Sequence, residues 1–578
     1  MRGDLAFYRA GVKNLRSLLW VSLAAFLILG GWLIHAGTRP ERVFAQGAPP
    51  AEEPPVRKAT ITYTFTRTFW WLVEWEDNEV FCRLAVEHEG LPTYNEIEGL
   101  CGKKTAEYWL KSQPCNLAET PTNRCPGLYL LEMGSEPGSR QIEVELPIPE
   151  VWVSLDGCDP LPGERKCTRL PNLLFTAVEP LPNETIISIQ GTFNGEPFSC
   201  MGAECRLPLQ PTPMEGITVE FWADSSFGDS SQRYTARVRL VPWGDFMNPD
   251  GGSTDPGTWY VDVLSTQWIG ARIASCAVSW DAFPPTEGLP DWLTTPESPE
   301  GLTSSIPYAY LAGNLIAQGV VDVRACADGG LTAEGTASSC GLEAAKPAVE
   351  EWQNQFDSLI YDIALKTEVP AQLLKNLFSR ESQFWPGVFR NGDDVGLGQL
   401  TENGADTALL WNRAFFDDFC PLVLDKKACE NTSYSGLSES NKKLLRGALV
   451  ASVDATCAKC PLGIDLSRAN FSVSVFGRTL LANCEQTGKI VQNVTGKSAG
   501  RTLDYETLWK LTLVNYNAGP GCLSEAFEQA SQVASTETPL GWDLVAQALD
   551  PACRGAIGYV EDISKPQPAS TSAPDSGD

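Results

Sequence analysis

The first strong pattern along the chain is an unbroken apolar run. Leu18 to Ala36 reads LLWVSLAAFLILGGWLIHA, about 20 residues without a charge, long enough as a helix to span a bilayer. Arg2, Arg9, Lys13 and Arg16 precede it with only Asp4 opposing, so the positive-inside rule predicts a cytoplasmic tail over 1–16, a transmembrane anchor over 17–37 and an extracytoplasmic bulk. Val43-Phe44-Ala45 has the small-residue pattern of a signal-peptidase site, so the alternative is a signal peptide cleaved near Ala45 and a secreted protein. The run is longer than a usual signal core, which favours an uncleaved anchor. Pro40, Pro49, Pro50, Pro54 and Pro55 make 38–58 an extended linker.

From Ala59 the period becomes that of strands. Ile61, Tyr63 and Phe65 alternate with Thr, then Trp70-Trp71-Leu72-Val73 follows, predicting a small β-rich or α+β module over 59–139. A second β-rich module, of possible immunoglobulin type, is expected over 140–246. Within it Tyr234, Ala236, Val238 and Leu240 face one side and Arg233, Thr235, Arg237 and Arg239 the other, the pattern of a half-exposed strand. Residues 247–339 alternate Pro and Gly clusters with short apolar runs and read as a connecting region without an assigned fold.

After Cys340 the period is helical. Trp352, Phe356, Leu359, Ile360, Ile363 and Ala364 form one buried face, and a second helix starting at Pro370 carries Leu373, Leu374, Leu377 and Phe378 inward. The predicted fold class is therefore multidomain α+β: a membrane helix, β-rich extracytoplasmic modules and an all-α domain over 340–565. A Ser/Pro/Asp-rich tail, 566–578, follows without the composition for a core.

Composition narrows the chemistry. Asp and Glu number 72 against 44 Lys and Arg, a formal charge of −28, which repels phosphate backbones and sets nucleic acid aside as a partner. All 18 cysteines lie between Cys82 and Cys553, beyond the apolar run, as an oxidising compartment requires. Pairing cannot be read from sequence, but Cys101/Cys115, Cys158/Cys167, Cys200/Cys205 and Cys420/Cys429 are close enough to close small loops. Cys457 and Cys460 form a CxxC. Zinc there needs partners, the only two His are His35 and His88, and no second CxxC exists, so a disulfide is favoured over a metal.

Glu381 stands four residues after Leu377 and three after Phe378, which puts its carboxyl on the apolar face of the second helix. Burial there disfavours the charged form and raises the pKa, the condition for a carboxylic acid that protonates a leaving oxygen near neutral pH. Around it runs Arg380-Glu381-Ser382-Gln383-Phe384-Trp385-Pro386, then Val395-Gly396-Leu397-Gly398-Gln399-Leu400-Thr401, then Asn515-Tyr516-Asn517-Ala518-Gly519-Pro520-Gly521, and finally Ala556-Ile557-Gly558-Tyr559-Val560. Together, over about Cys340 to Ile563, these resemble the soluble lytic transglycosylase family. That resemblance implies a goose-type-lysozyme-like helical domain with Glu381 as its single catalytic acid/base. It implies that Ser382, Gln399, Tyr516, Asn517 and Tyr559 line the cleft. Phe384, Trp385 and Tyr516 are suitable ring-stacking surfaces for a sugar. The implied reaction is cleavage between N-acetylmuramic acid and N-acetylglucosamine in peptidoglycan glycan strands, leaving a 1,6-anhydro end, with no metal and no cofactor.

Departures from the family pattern are Gly398 for the usual Met, which removes a side chain and is expected to widen or loosen the cleft, and Asn515 for Ala. A third is a disulfide-bearing insertion over about 413–469, which either shapes substrate access or only stabilises the domain. Two alternatives stay open. Asp393 or Asp394 acting as a second carboxylate would permit ordinary muramidase hydrolysis, and the domain could instead be a silent glycan-binding scaffold. A Ser/His/Asp or Cys/His hydrolase is excluded for this domain because neither His lies within it.

Overall fold

A computed structural model describes residues 57–115, 125–158, 166–242, 258–270, 273–304, 308–387 and 394–565. The predicted anchor at 17–37, its cytoplasmic tail, nearly all of the linker and the 566–578 tail lie outside the described residues. Among the described residues no helix is long and apolar enough to cross a membrane. The architecture is α+β, with a β-rich N-terminal part and a helical C-terminal part.

The Thr/apolar alternation from Ala59 forms strand β1 (Lys58–Glu74), central between β2 (Val80–Val86) and β3 (Leu128–Glu145) in an antiparallel sheet of order β2-β1-β3. β1 and β3 pair along their whole length, from Lys58↔Glu145 to Glu74↔Leu128, with a register shift between Phe69 and Trp70. Helices α1 (Tyr94–Cys101) and α2 (Lys103–Lys111) follow β2. α1 begins with a capping box in which the Thr93 hydroxyl accepts from the Glu96 N–H and the Glu96 carboxylate accepts from the Thr93 N–H. The module's core is small, built on Trp70, Leu72, Leu84, Val86, Ile97, Ala106 and Leu128. A core of that size benefits from cross-links, and Cys82–Cys101 and Cys115–Cys125 supply them. The expected Cys101/Cys115 loop does not form. α2 lies between those two positions, and its nine residues at ~1.5 Å each carry the chain well past bridging distance.

The second module is a sandwich. A six-stranded sheet, β5-β12-β11-β10-β7-β8, faces a three-stranded sheet, β4-β6-β9. In chain order these are β4 (Glu150–Asp156), β5 (Lys166–Cys167), β6 (Asn172–Val178), β7 (Ile186–Phe193), β8 (Glu196–Met201), β9 (Glu204–Pro208), β10 (Ile217–Ser225), β11 (Tyr234–Pro242) and β12 (Trp259–Leu264). Val153, Phe175, Val219, Phe221, Val238 and Leu240 meet between the sheets. The module therefore runs past the expected limit at 246 to include β12. The outer face of β11 is not solvated as expected: Arg237 and Arg239 are buried against the segment that opens the helical part. Arg237 pairs with Asp281 at 2.6 Å, Arg239 with Asp262 and the Pro284 carbonyl, and both guanidinium groups lie over the Phe283 ring.

The helical part begins earlier than its periodicity predicted. One continuous core contains Trp280, Trp292, Leu311 and Leu315 together with Leu377, Phe476, Leu513 and Tyr559. Most of the presumed connecting region is thus part of this core, through α3 (Ser275–Trp280) and α4 (Ala309–Ala317). Then follow α5 (Ser339–Asn354), α6 (Asp357–Thr367), α7 (Ala371–Ser382), α8 (Glu402–Trp411), α9 (Arg413–Val423), α10 (Lys426–Cys429), α11 (Glu439–Val453), α12 (Leu466–Thr495), α13 (Tyr505–Val533), α14 (Trp542–Ala548) and α15 (Gly555–Ser564). α13 kinks where Gly519 takes φ 86° before Pro520. The stretch 413–469 contributes Phe416, Phe419, Leu445 and Leu449 to the common core, so it stabilises the domain rather than merely capping it. Cys420–Cys429 and Cys457–Cys460 brace it; the CxxC is a disulfide.

Candidate active site

α7 begins after Pro370 and buries Leu373, Leu374, Leu377 and Phe378 completely. It ends abruptly. Gln383 (φ 48°) and Phe384 (φ 61°) are both left-handed, a conformation costing non-glycine residues of order 1–2 kcal/mol each. Specific bonds hold them there. The Gln383 N–H donates to the Ser379 carbonyl at 3.2 Å and the Phe384 N–H to the Phe378 carbonyl at 3.3 Å, closing the helix end. The Gln383 side-chain carbonyl accepts the Tyr310 and Leu311 N–H groups, capping α4, which has no cap of its own. The Trp352 indole N–H donates to the Phe384 carbonyl at 2.9 Å.

This turn fixes Glu381 one residue from the helix end, partly buried. Its Oε1 accepts the Tyr559 hydroxyl of α15 at 2.5 Å. Burial pushes the carboxyl up to about 7, against the downward pull of the Tyr559 hydrogen bond and the Arg380 charge; Asp394 pushes it further up. Tyr516 and Tyr559 are raised well above the ordinary phenol range, chiefly by burial, so both are neutral donors at physiological pH. Burial also lifts the carboxyls of Asp357, to about 6, and Glu485, but Asp357 is locked to the buried Lys375 at 2.8 Å and Glu485 accepts the Ser279 hydroxyl at 2.9 Å. Glu381 keeps a partly exposed edge beside the loop of the second motif.

The loop of the second motif closes against this helix. Val395 and Leu400 form an isolated bridge, with Gly396 (φ 78°) and Gln399 (φ 55°) making the turn between them. Ser382 is fully buried and donates to the Leu397 carbonyl at 2.7 Å. The Tyr516 hydroxyl donates to the Gly398 carbonyl at 2.7 Å. Three segments far apart in sequence thus meet around one carboxyl. The glycine at 398 is a steric requirement: a Cβ there would lie 2.4 Å from the Phe476 ring, itself fully buried and edge-on to Phe378. Phe476 thus fills the space that a Cβ at 398 would enter.

The predicted site residues divide accordingly. Glu381, Tyr516 and Tyr559 cluster. Ser382 faces the loop backbone and not the surface, and the Gln399 amide turns back onto the Gly396 carbonyl at 2.7 Å, so both hold the loop. Phe384 is a correction: its ring has no exposed surface and packs edge-on to Tyr308 and Phe378, because the two left-handed residues swing it into the core. It offers no face to a sugar. Asn517 is exposed, two residues before the Gly519 kink. Trp385 stacks on Trp352 at 5.3 Å between ring centres. Trp352 also lines an apolar pocket of about 210 Å³ whose other wall is Pro461, Leu462, Ile464 and Leu466, so the 413–469 stretch shapes the surface beside this tryptophan pair.

Sequence reasoning missed Phe476, Gln383 and Trp352. The missing side chain at Gly398 signals that something bulky packs there, but not which residue. Asp393 lies outside the described residues. Among the described residues no cluster of three or more His, Cys, Asp or Glu side chains could hold a metal ion. No family model matches the chain, and no curated protein matches it.

The Tyr559 hydroxyl stabilises the ionised form of Glu381. Tyr559→Phe is therefore expected to raise the Glu381 pKa above about 7, read by pH titration of that carboxyl in the folded protein. A pKa that stays in place or falls would show that the bond does not act on Glu381.

Proposed function

We propose that the helical part is a peptidoglycan lytic transglycosylase of the goose-type-lysozyme-like kind, with Glu381 as its acid/base. One observation carries this reading: a partly buried carboxyl at a helix end, hydrogen-bonded by the Tyr559 hydroxyl and pushed by burial to about 7, is poised to give and take a proton at neutral pH. Protonated Glu381 donates to the glycosidic oxygen between N-acetylmuramic acid and N-acetylglucosamine. The substrate's own N-acetyl carbonyl stabilises the oxocarbenium-like centre, so no protein nucleophile is needed. Ionised Glu381, held by the Tyr559 hydroxyl, then takes the C6 hydroxyl proton as that oxygen closes onto C1 to give the 1,6-anhydro sugar. Tyr516 acts on the other side by holding the Gly398 carbonyl, which keeps the loop against α7. The disulfides agree with an extracytoplasmic location, and Leu18–Ala36 would tether the enzyme to the cytoplasmic membrane.

Asp394 favours a second reading. It raises the Glu381 pKa and so lies within electrostatic reach of it, where a carboxylate could activate water for muramidase hydrolysis. Muropeptide mass spectrometry after digestion of purified sacculi decides between the two. Anhydro ends are expected; reducing ends would make the enzyme a hydrolase, and absence of cleavage would leave a glycan-binding scaffold.

A further inference from the structure

Eight disulfides bind sixteen of the cysteines, and every one is local, closing between 3 and 31 residues of chain. The two thiols left are Cys276 on α3 and Cys484 on α12, both completely buried. They are not independent. α3 packs on α12 at this point: the Trp280 indole N–H donates to the Cys484 carbonyl at 2.7 Å, and the Ser279 hydroxyl to the Glu485 carboxylate at 2.9 Å. Each thiol lies within interaction reach of the other, and the Cys484 thiol donates to the Leu481 carbonyl at 3.0 Å. We propose that Cys276 and Cys484 close a ninth disulfide, the one long-range cross-link among these bridges.

Two arguments support it. A chain that forms eight disulfides folds where oxidants act, and two neighbouring thiols on packed helices are oxidised there unless geometry forbids it. The position also has a mechanical use. α3 follows the last sandwich strand, β12, and ends at Asp281, whose carboxylate pairs with Arg237 of the sandwich at 2.6 Å and with Arg501 at 3.0 Å. A bond from Cys276 to α12 would lock the joint between sandwich and helical part. Cross-linking two points so distant in sequence restricts the unfolded chain more than any short loop does.

Closure is a two-step exchange. The thiolate of one cysteine attacks an incoming disulfide of a thiol–disulfide oxidant, forming a mixed disulfide and releasing one thiol. The second cysteine displaces the other, so two electrons and two protons leave with the oxidant as two thiols. Burial holds both thiols neutral once α3 has docked. The exchange therefore belongs to folding, before the joint closes.

The test needs no variant. The full chain, produced in an oxidising compartment, is denatured in iodoacetamide without reductant and weighed. Closure of the eight local bridges, seen in a non-reduced digest, is the internal control. No alkyl group and a Cys276–Cys484 cross-linked peptide are expected; two alkylated thiols at 276 and 484 overturn the proposal. Cys484→Ser is expected to expose one alkylatable thiol at Cys276, and a variant that stays unlabelled would show Cys276 bonded elsewhere. Should that variant fail to fold, the digest of the parent protein still decides.

Discussion

Glu381→Gln is expected to lower the rate of glycan cleavage by about 10²- to 10⁴-fold, the range for loss of a general acid/base, and to make the protein more stable at neutral pH. Both halves come from the same burial. A carboxyl whose folded pKa stands near 7, above its ordinary value of 4.5, favours folding below that ordinary value. As pH rises through the folded pKa, the site is left holding a poorly solvated charge, and that advantage is lost. Gln has nearly the same shape and no charge, and its amide still accepts the Tyr559 hydroxyl. The measurements are muropeptide release from sacculi and thermal unfolding at pH 5 and pH 8. Tm is expected to rise on substitution at pH 8 and to change little at pH 5. Residual activity within tenfold of the parent would remove Glu381 from the mechanism, whatever Tm does.

Gly398→Met restores the residue usual in the resembling family, yet is expected to be among the most damaging single changes in the domain. Its Cβ would enter the Phe476 ring, and that ring is fixed between Phe378 and the loop. The cost should reach about 3 kcal/mol, the upper end of overpacking penalties, seen as a Tm lowered by roughly 6–12 °C. Displacing the loop also breaks the Tyr516 bond to the Gly398 carbonyl and the Ser382 bond to Leu397, so activity should fall with stability. Adding Phe476→Ala should return part of the loss, because the two positions share one volume. If Gly398→Met unfolds at the parent's temperature, the packing argument for this glycine is wrong.

Several features of this site are legible in the sequence. The 3–4 spacing of Leu373, Leu374, Leu377 and Phe378 placed Glu381 on the buried side, since a long amphipathic helix advertises its face. Spacing cannot report a backbone that turns left-handed at a residue other than Gly or Asn. Gln383 and Phe384 do so, and the Phe384 ring expected beside the sugar went into the core. Short helices buried on several sides have no polar face to mark them. Trp280, Trp292 and Leu311 are therefore interior where the sequence predicts only a connection. The arginines of β11 misled for the opposite reason. Charge usually marks solvent, but Arg237 and Arg239 are matched by Asp281, Asp262 and a carbonyl from a segment the strand's own sequence does not mention.

The group that hydrogen-bonds Glu381 stands 178 positions downstream, on α15. A nascent chain emerging N-terminus first would present that carboxyl long before α15 docks on α7, and a carboxyl still in water has ordinary acidity and almost no proton to give at neutral pH. If this protein cuts the wall, its blade is thus sharpened late. Half-made molecules stalled during export would be harmless to the envelope they are crossing, and competence would come only when the closing helix docks.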